Sequence, residues 1–142
     1  MLHYHTPIML EEIIGFLNPS PGKIYLDGTL GTGGHTEALL EKSAPTGRVV
    51  GIDADAESIE IARERLAPYG DRILLVHGRY ENAREILSRH GFSKVDGVLL
   101  DLGISRVQLE TPDRGFSFSR EGPLDMRMDR RSGTPASRLL QD

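Results

Sequence analysis

The most informative stretch of the sequence reads Asp27-Gly28-Thr29-Leu30-Gly31-Thr32-Gly33-Gly34-His35-Thr36. It stands between a short apolar run at 24–26 and a helical pattern that begins near Ala38. Glycines allow a backbone to come close to a ligand, and the first turn of a helix presents unpaired N–H groups to an anion. The stretch therefore predicts a ligand-binding turn that joins a strand to a helix.

Apolar runs of similar spacing continue on both sides of this turn, and they occupy residues 24–26, 48–52, 73–76 and 95–100. A helical pattern fills each gap between them. Strands and helices that alternate at this spacing are typical of βαβ units, which predicts an α/β fold with a parallel sheet and right-handed crossovers. We expect the run 95–100 at an edge of the sheet, and we expect a sheet of about four strands to be an incomplete fold.

Helices are also predicted at the two ends of the chain. Before the sheet, Thr6 can cap a helix, Pro7 fits its first turn, and Asn18-Pro19 ends it. After Leu102 the regular pattern stops, and residues 103–133 are rich in Gly, Arg, Asp and Pro. Thr134-Pro135 then predicts a new helix start.

Composition excludes several classes of protein. The chain has 142 residues, no cysteine and a net charge of −4, with 38% hydrophobic residues. Disulfide scaffolds, thiolate zinc sites and cysteine nucleophiles are therefore excluded, and the charge argues against a protein that coats DNA. No apolar run approaches the ~18 residues of a membrane span, so we expect a cytoplasmic protein without a membrane partner.

Residues 114–138 hold six arginines and three acids, a local charge of +3 that suits phosphate.

The carboxylate of Asp53, twenty residues after Gly33, ends the second predicted strand. An acid at this place can accept hydrogen bonds from the hydroxyls of an adenosine ribose. The dinucleotide pattern G-x-G-x-x-G fails at Thr36, which disfavours a nicotinamide-dependent oxidoreductase. If Asp27 meets an amine and the loop N–H groups meet a carboxylate, the ligand is an adenosylated amino acid. These residues favour S-adenosylmethionine.

Polar and aromatic residues also follow the third and fourth predicted strands, where ligands of open α/β sheets bind. Tyr80 can cover an adenine ring or pack at a helix start, and Asp101 can hold a ligand amine or cap its strand. His35 contacts ligand or begins a helix. The pair His3 and His5 lacks a third ligand, so no metal is expected. Phe116 and Phe118 stack on a base or bury one face of a short strand.

Five ordered segments resemble the ribosomal RNA small-subunit methyltransferase H (MraW) family, and they span 6–12, 27–35, 101–105, 113–118 and 122–129. The resemblance implies a Rossmann-like S-adenosylmethionine-dependent methyltransferase fold that is interrupted by a helical insertion domain. It also implies methylation of a cytosine N4 amine in the decoding region, with small-subunit ribosomal RNA or the small ribosomal subunit as the partner. Residues 1–108 would be the partial cofactor-binding domain, and residues 109–142 would be the Arg-rich loop and the start of the insertion.

By motif, the resemblance implies cofactor contacts at Gly33, Gly34, His35, Asp53, Tyr80, Asp101 and Gln108. Tyr80 stands where phenylalanine is usual, and Arg106-Val107 replaces a more familiar Ser-Pro. Members of the family are roughly twice as long. A truncated, non-catalytic remnant that keeps the fold is therefore an alternative, and no catalytic residue is predicted.

Overall fold

The computed structural model describes residues 7–141, which form two compact units that divide between Asp101 and Leu102. Among these residues no helix is long and apolar enough to cross a membrane. The first unit alternates helices and strands in the order α1 (Leu10–Leu17), β1 (Ile24–Asp27), α2 (Gly34–Lys42), β2 (Arg48–Asp53), α3 (Ala56–Leu66), β3 (Ile73–His77), α4 (Ala83–Arg89) and β4 (Gly97–Leu99).

The four strands form one parallel sheet in the order β3-β2-β1-β4. Asp27 pairs with Gly51 on one side and with Leu99 on the other, and Asp53 pairs with His77. The carboxyl ends of all four strands therefore lie along one edge of the sheet. The predicted parallel α/β fold and the edge position of the fourth strand are confirmed.

The two faces of the sheet bury different side chains, because neighbouring residues of a strand point to opposite faces. Tyr25 and Val49 belong to a cluster with Leu39, Leu40, Ile59 and Leu66, so α2 and α3 cover that face. Leu26 and Val50 belong to the other cluster, with Ile86 and Leu87 of α4 packed against it. Helices on both faces are what a parallel sheet needs to bury its apolar strands.

The start of the first helix differs from the prediction. Helix α1 begins at Leu10, and Pro7 lies before it rather than in its first turn. Met9 has a left-handed backbone conformation with φ of 56° and separates Pro7 from the helix. Thr6, the predicted N-cap, lies outside the described residues, as do His3 and His5.

The second unit is mostly irregular and contains α5 (Arg106–Glu110) and α6 (Ala136–Leu139). Its centre is Arg114, which is 1% exposed and donates hydrogen bonds to the carbonyl oxygens of Arg127 and Met128 at 3.1 and 2.8 Å. Helix α6 starts one residue after the predicted Thr134-Pro135. The domain boundaries of the sequence analysis, 1–108 and 109–142, stay a prediction.

Candidate functional site

The glycine-rich loop 28–33 is fixed to the carboxyl ends of three strands. The N–H of Gly28 donates to the carbonyl of Leu99, and the N–H of Leu30 donates to that of Ile52, both at 3.0 Å. Leu30 is 4% exposed, and its side chain fills the space where a Cβ at Gly51 would stand, 2.8 Å away. The loop is therefore part of the core, with its backbone held where the strands end.

Asp53 joins this loop to the end of β2. Its Oδ2 accepts a hydrogen bond of 2.7 Å from the N–H of Gly31, and its Oδ1 accepts one of 2.8 Å from the N–H of Asp55. Burial is the main cause that raises the pKa of this carboxyl above its ordinary value. Because each carboxylate oxygen has two lone pairs, each keeps the capacity to accept one further hydrogen bond.

The three glycines that follow Leu30, two in the loop and one at the start of α2, have different surroundings. A Cβ on Gly31 would meet no atom closer than 4.0 Å, so this part of the loop is open. A Cβ on Gly33 would lie 3.0 Å from the Cδ1 of Leu66, and one on Gly34 would lie 2.5 Å from the Cγ of Pro7. Gly33 and Gly34 are thus required for packing inside the chain, whereas Gly31 faces open space.

Gly33 is the N-cap of α2 and has φ of 87°, and no side chain caps the helix. The first intrahelical hydrogen bond runs from the N–H of Glu37 to the carbonyl of Gly33 at 2.8 Å. The N–H groups of Gly34 and His35 belong to the first turn, which has no intrahelical acceptors, and they lie at the positive end of the helix dipole. The start of α2 therefore suits an anionic group.

Asp27 is arranged differently from the prediction that it meets a ligand amine. It is 1% exposed, and its oxygens accept hydrogen bonds from the N–H of Thr29 at 3.1 Å and the hydroxyl of Thr36 at 2.7 Å. Burial raises its pKa to about 6, against the opposing effect of the two hydrogen bonds. With both oxygens bonded and almost no exposed surface, this carboxylate supports the loop from beneath instead of facing a ligand.

His35 and Asp101 are neighbours at the ends of α2 and β4. The His35 side chain is 9% exposed, and its Nδ1 lies 3.8 Å from the Oδ2 of Asp101. The Asp101 side chain is 58% exposed, and the backbone N–H of Asp101 donates to the hydroxyl oxygen of Thr29 at 2.6 Å. The structure thus brings these two predicted site residues together, with the Asp101 carboxylate on the open side.

Tyr80 follows β3 in a short 3₁₀ turn and is 42% exposed. Its Cβ lies 3.0 Å from the position that a Cβ on Gly28 would take, and the Cδ2 of Leu100 lies 2.6 Å from the same position. Gly28 therefore allows Tyr80 to approach the loop. The Cβ of Tyr80 thus lies beside the carboxyl end of β1, and a contact of its ring with adenine stays a prediction.

Gln108 belongs to the second unit, where it is 3% exposed. Its side-chain oxygen accepts a hydrogen bond from the N–H of Ser105 at 3.0 Å, which completes a capping box at the start of α5. Its predicted cofactor contact stays a prediction.

The two phenylalanines of the second unit differ in exposure, because Phe116 is 9% exposed and Phe118 is fully exposed.

Two threonines at this site were given no role by the sequence analysis. Thr36 supplies a hydroxyl to buried Asp27, and Thr29 accepts from the N–H of Asp101. The sequence offered one signal for these two roles. Both threonines lie within the glycine-rich stretch, where polar residues are close to strand ends. Among the described residues no group of three His, Asp or Glu side chains could hold a metal.

Comparisons with known proteins identify relatives of this arrangement. The model of the MraW methylase family matches residues 2–142. A ribosomal RNA small subunit methyltransferase H from Geotalea uraniireducens is 51% identical over 137 residues, which are 96% of this chain and 44% of that protein. The chain therefore spans less than half the length of this relative.

Solved structures share the fold at lower identity. An S-adenosylmethionine-dependent O-methyltransferase from Thermotoga maritima superposes with a TM-score of 0.54 at 20% identity, over 81% of this chain and 38% of that one. A protein from Clostridium thermocellum, provisionally described as an rRNA methylase, superposes with a TM-score of 0.58 at 22% identity, over 71% and 54% of the two chains. The expected Rossmann-like methyltransferase fold is confirmed.

Proposed function

The chain belongs to the MraW methylase family, and we propose that it binds S-adenosylmethionine and acts in the methylation of small-subunit ribosomal RNA. The name of the relative from Geotalea uraniireducens supports the reaction and the substrate. The single observation that carries the proposal is the placement of Asp53 against the open turn at Gly31, at the carboxyl edge of a parallel sheet. This is the edge at which open α/β sheets bind their ligands.

The donors and acceptors of the site fit this ligand. Asp53 keeps acceptor capacity for the ribose hydroxyls, and the first turn of α2 offers N–H groups at Gly34 and His35 for the methionine carboxylate. Tyr80 offers an exposed ring for the adenine. Asp101, whose side chain is more than half exposed, is the carboxylate available for an amine. Gly33, Gly34, His35 and Gln108 stay proposed contacts, and Gly33 also supports the turn.

When bound, S-adenosylmethionine supplies a methyl group on a positively charged sulfur. We propose that the acceptor is the N4 amine of a cytosine in the decoding region of the ribosomal RNA. This amine is a weak nucleophile because its lone pair is delocalised into the ring, so orientation at the site must do most of the work, and it can supply about 7–11 kcal/mol of a barrier. Asp101 is our proposed acceptor of a hydrogen bond from such an amine, and the base must leave its RNA stack to reach it.

Contacts to the RNA backbone are proposed for the arginines of the second unit. Arg120, Arg130, Arg131 and Arg138 are exposed, and guanidinium groups recognise phosphate in a bidentate manner. Two arginines of the same stretch are used internally: Arg114 is buried, and Arg127 pairs with Asp125 at 2.7 Å. The phosphate contacts proposed here therefore exclude these two.

Equilibrium binding of S-adenosylmethionine to the purified chain, measured by calorimetry, tests the cofactor assignment. Replacing Asp53 by asparagine keeps the shape but changes the acceptor that faces Gly31, so we expect binding to weaken by about tenfold or more, since hydrogen bonds to charged groups contribute about 1.5–3 kcal/mol. Asp71→Asn is the matched control, because Asp71 is exposed on the turn before β3. Equal affinities of the two variants would contradict the assignment.

Transfer of a labelled methyl group to immature small ribosomal subunits, followed by nucleoside analysis, tests the reaction. N4-methylcytidine is the expected product. Binding without transfer would contradict the proposed reaction for this chain.

A further inference from the structure

Residues 7–9, here called the strap, lie across the first turn of α2 and are held there at two points. The ring of Pro7 occupies the space that a Cβ on Gly34 would need, 2.5 Å from its Cγ. The Nε2 of His35 lies 3.0 Å from the carbonyl oxygen of Ile8. Because a carbonyl oxygen only accepts, the Nε2 atom of the imidazole must donate this hydrogen bond.

The far end of the strap is fixed by α1. Met9 takes a left-handed conformation, and its carbonyl accepts the first hydrogen bond of the helix, from the N–H of Ile13 at 3.0 Å. The helix then packs on the core through Ile14 and Leu17. The strap is therefore stretched between the core-anchored α1 and the start of α2.

The opposite edge of the His35 ring faces the end of β4. Its Nδ1 lies 3.8 Å from the Oδ2 of Asp101, a separation longer than a hydrogen bond. The backbone of Asp101 is held independently by its hydrogen bond to Thr29. One buried imidazole thus stands between the strap and the exposed carboxylate at the end of β4.

We propose that the His35 side chain is a positioning residue that holds the strap over the start of α2. The side chain itself is 9% exposed, so we assign ligand contacts at this position to the backbone N–H and not to the imidazole. The effect on the cofactor rests on the proposed function, whereas the anchoring of the strap does not.

Two conservative substitutions separate the two edges of the ring. The amide nitrogen of glutamine reaches the position of Nε2, so His35→Gln keeps the bond to Ile8. Asparagine reaches only the position of Nδ1, so His35→Asn loses that bond and keeps a group beside Asp101. The exposed His90 offers the control His90→Asn, because its ring bonds the carbonyl of Ile86 within α4.

Hydrogen exchange of the ligand-free protein reads the strap directly. We expect His35→Asn to raise the exchange of the Ile13 amide, which donates to the carbonyl of Met9, by about fivefold to tenfold, as the loss of one hydrogen bond predicts. His35→Gln and His90→Asn should remain within twofold of the unsubstituted chain. If His35→Asn leaves the exchange of the Ile13 amide unchanged, or if His35→Gln raises it equally, the anchoring role is wrong.

A second perturbation reaches the strap from Gly34. Gly34→Ala introduces a Cβ where the Pro7 ring lies, so it should lower the melting temperature of the chain, and it should lower it much less in a Pro7→Ala background. An equal loss in both backgrounds would overturn the seating of the strap. This result does not depend on His35, so it tests the position of the strap even where a His35 variant fails to fold.

Affinity for S-adenosylmethionine then tests the link to the cofactor. We expect His35→Asn to weaken binding by about fivefold while His35→Gln stays closer to the unsubstituted chain. Failure of the unsubstituted chain to bind S-adenosylmethionine would refute the proposed function and leave the exchange result to decide the strap. Unchanged affinity in His35→Asn, with normal binding by the unsubstituted chain, would refute the positioning role alone.

Discussion

The substitution Gly33→Ala tests whether the second half of the glycine-rich loop is shaped by packing inside the chain. Gly33 has φ of 87°, a conformation that costs a residue with a Cβ about 1–2 kcal/mol. The new Cβ would lie 3.0 Å from Leu66 Cδ1 and 3.4 Å from the Cβ of Ala62. Overpacking of such a buried place adds about 1–3 kcal/mol. Alanine also lowers the conformational entropy of the unfolded chain, which offsets about 0.4–1 kcal/mol of this loss of stability.

The free energy of unfolding should therefore fall by roughly 2–4 kcal/mol in Gly33→Ala. Two other glycines isolate the contributions. Gly22 has a similar φ of 77° but open space around it, so Gly22→Ala should cost only the backbone part, about 1 kcal/mol. Gly15 lies in α1 with no atom within 4 Å and no left-handed φ, so Gly15→Ala should stabilise by about 0.5–1 kcal/mol.

Urea denaturation followed by far-ultraviolet circular dichroism measures all three variants on one scale, provided that the slope of the transition is unchanged. Equal losses in Gly33→Ala and Gly22→Ala would refute the close approach of Leu66. A normal stability of Gly33→Ala with weakened cofactor binding would show instead that this glycine serves the ligand.

Further predictions concern the buried carboxyl group of Asp27, the buried guanidinium group of Arg114 and the exposed ring of Tyr80. Burial raises the pKa of Asp27 to about 6, so its neutral form stabilises the fold below pH ~4, and that contribution is lost as the pH rises through 6. The free energy of unfolding of Asp27→Asn, relative to that of the unsubstituted chain, should therefore increase by about 2–3 kcal/mol between pH ~4 and ~7.5. A difference that stays constant with pH in urea titrations would contradict this. Arg114→Met should cost about 3 kcal/mol or more by removing the donors to two carbonyl groups, seen as faster proteolysis of residues 124–128, whereas an unchanged cleavage rate would deny Arg114 this role. Tyr80→Phe should leave S-adenosylmethionine affinity within twofold and Tyr80→Ala should lower it about tenfold; equal affinity of both would exclude stacking by the ring.

The four strands could be predicted from the sequence because each is a short apolar run between glycine, charged or proline residues. The structure ends them at Asp27, Asp53, His77 and Leu99, within one residue of the predicted ends. A parallel sheet buries its strands on both faces, so the apolar runs are nearly continuous and easy to recognise. The start of β4 was placed two residues too early, since Val95 packs on the core without joining the sheet.

Other features depend on contacts between distant residues, and local patterns do not show them. Pro7 looks like a first-turn residue of α1, but its position is set by the missing Cβ of Gly34. Arg114 belongs to a stretch of arginines that suggests an exposed surface, yet it is buried by carbonyl groups thirteen and fourteen residues further along. Charge composition predicts exposure only on average, and a guanidinium group with several bonded donors can be buried.

The departure from the dinucleotide pattern has a structural reason at Thr36. Where the dinucleotide pattern requires a small residue for close contact between helix and strand, this chain places a buried hydroxyl that donates to Asp27 at 2.7 Å. Glycine at this position would leave that oxygen of a fully buried carboxylate without a donor, and an unsatisfied buried group costs about 1–3 kcal/mol, more when it is charged. Thr36 and Asp27 therefore depend on each other, because the acid that ends β1 requires the hydroxyl in α2. The same pairing keeps the carboxylate of Asp27 away from the open side of the loop, which leaves Asp53 and Asp101 as the two acids of the described strand ends that line this side.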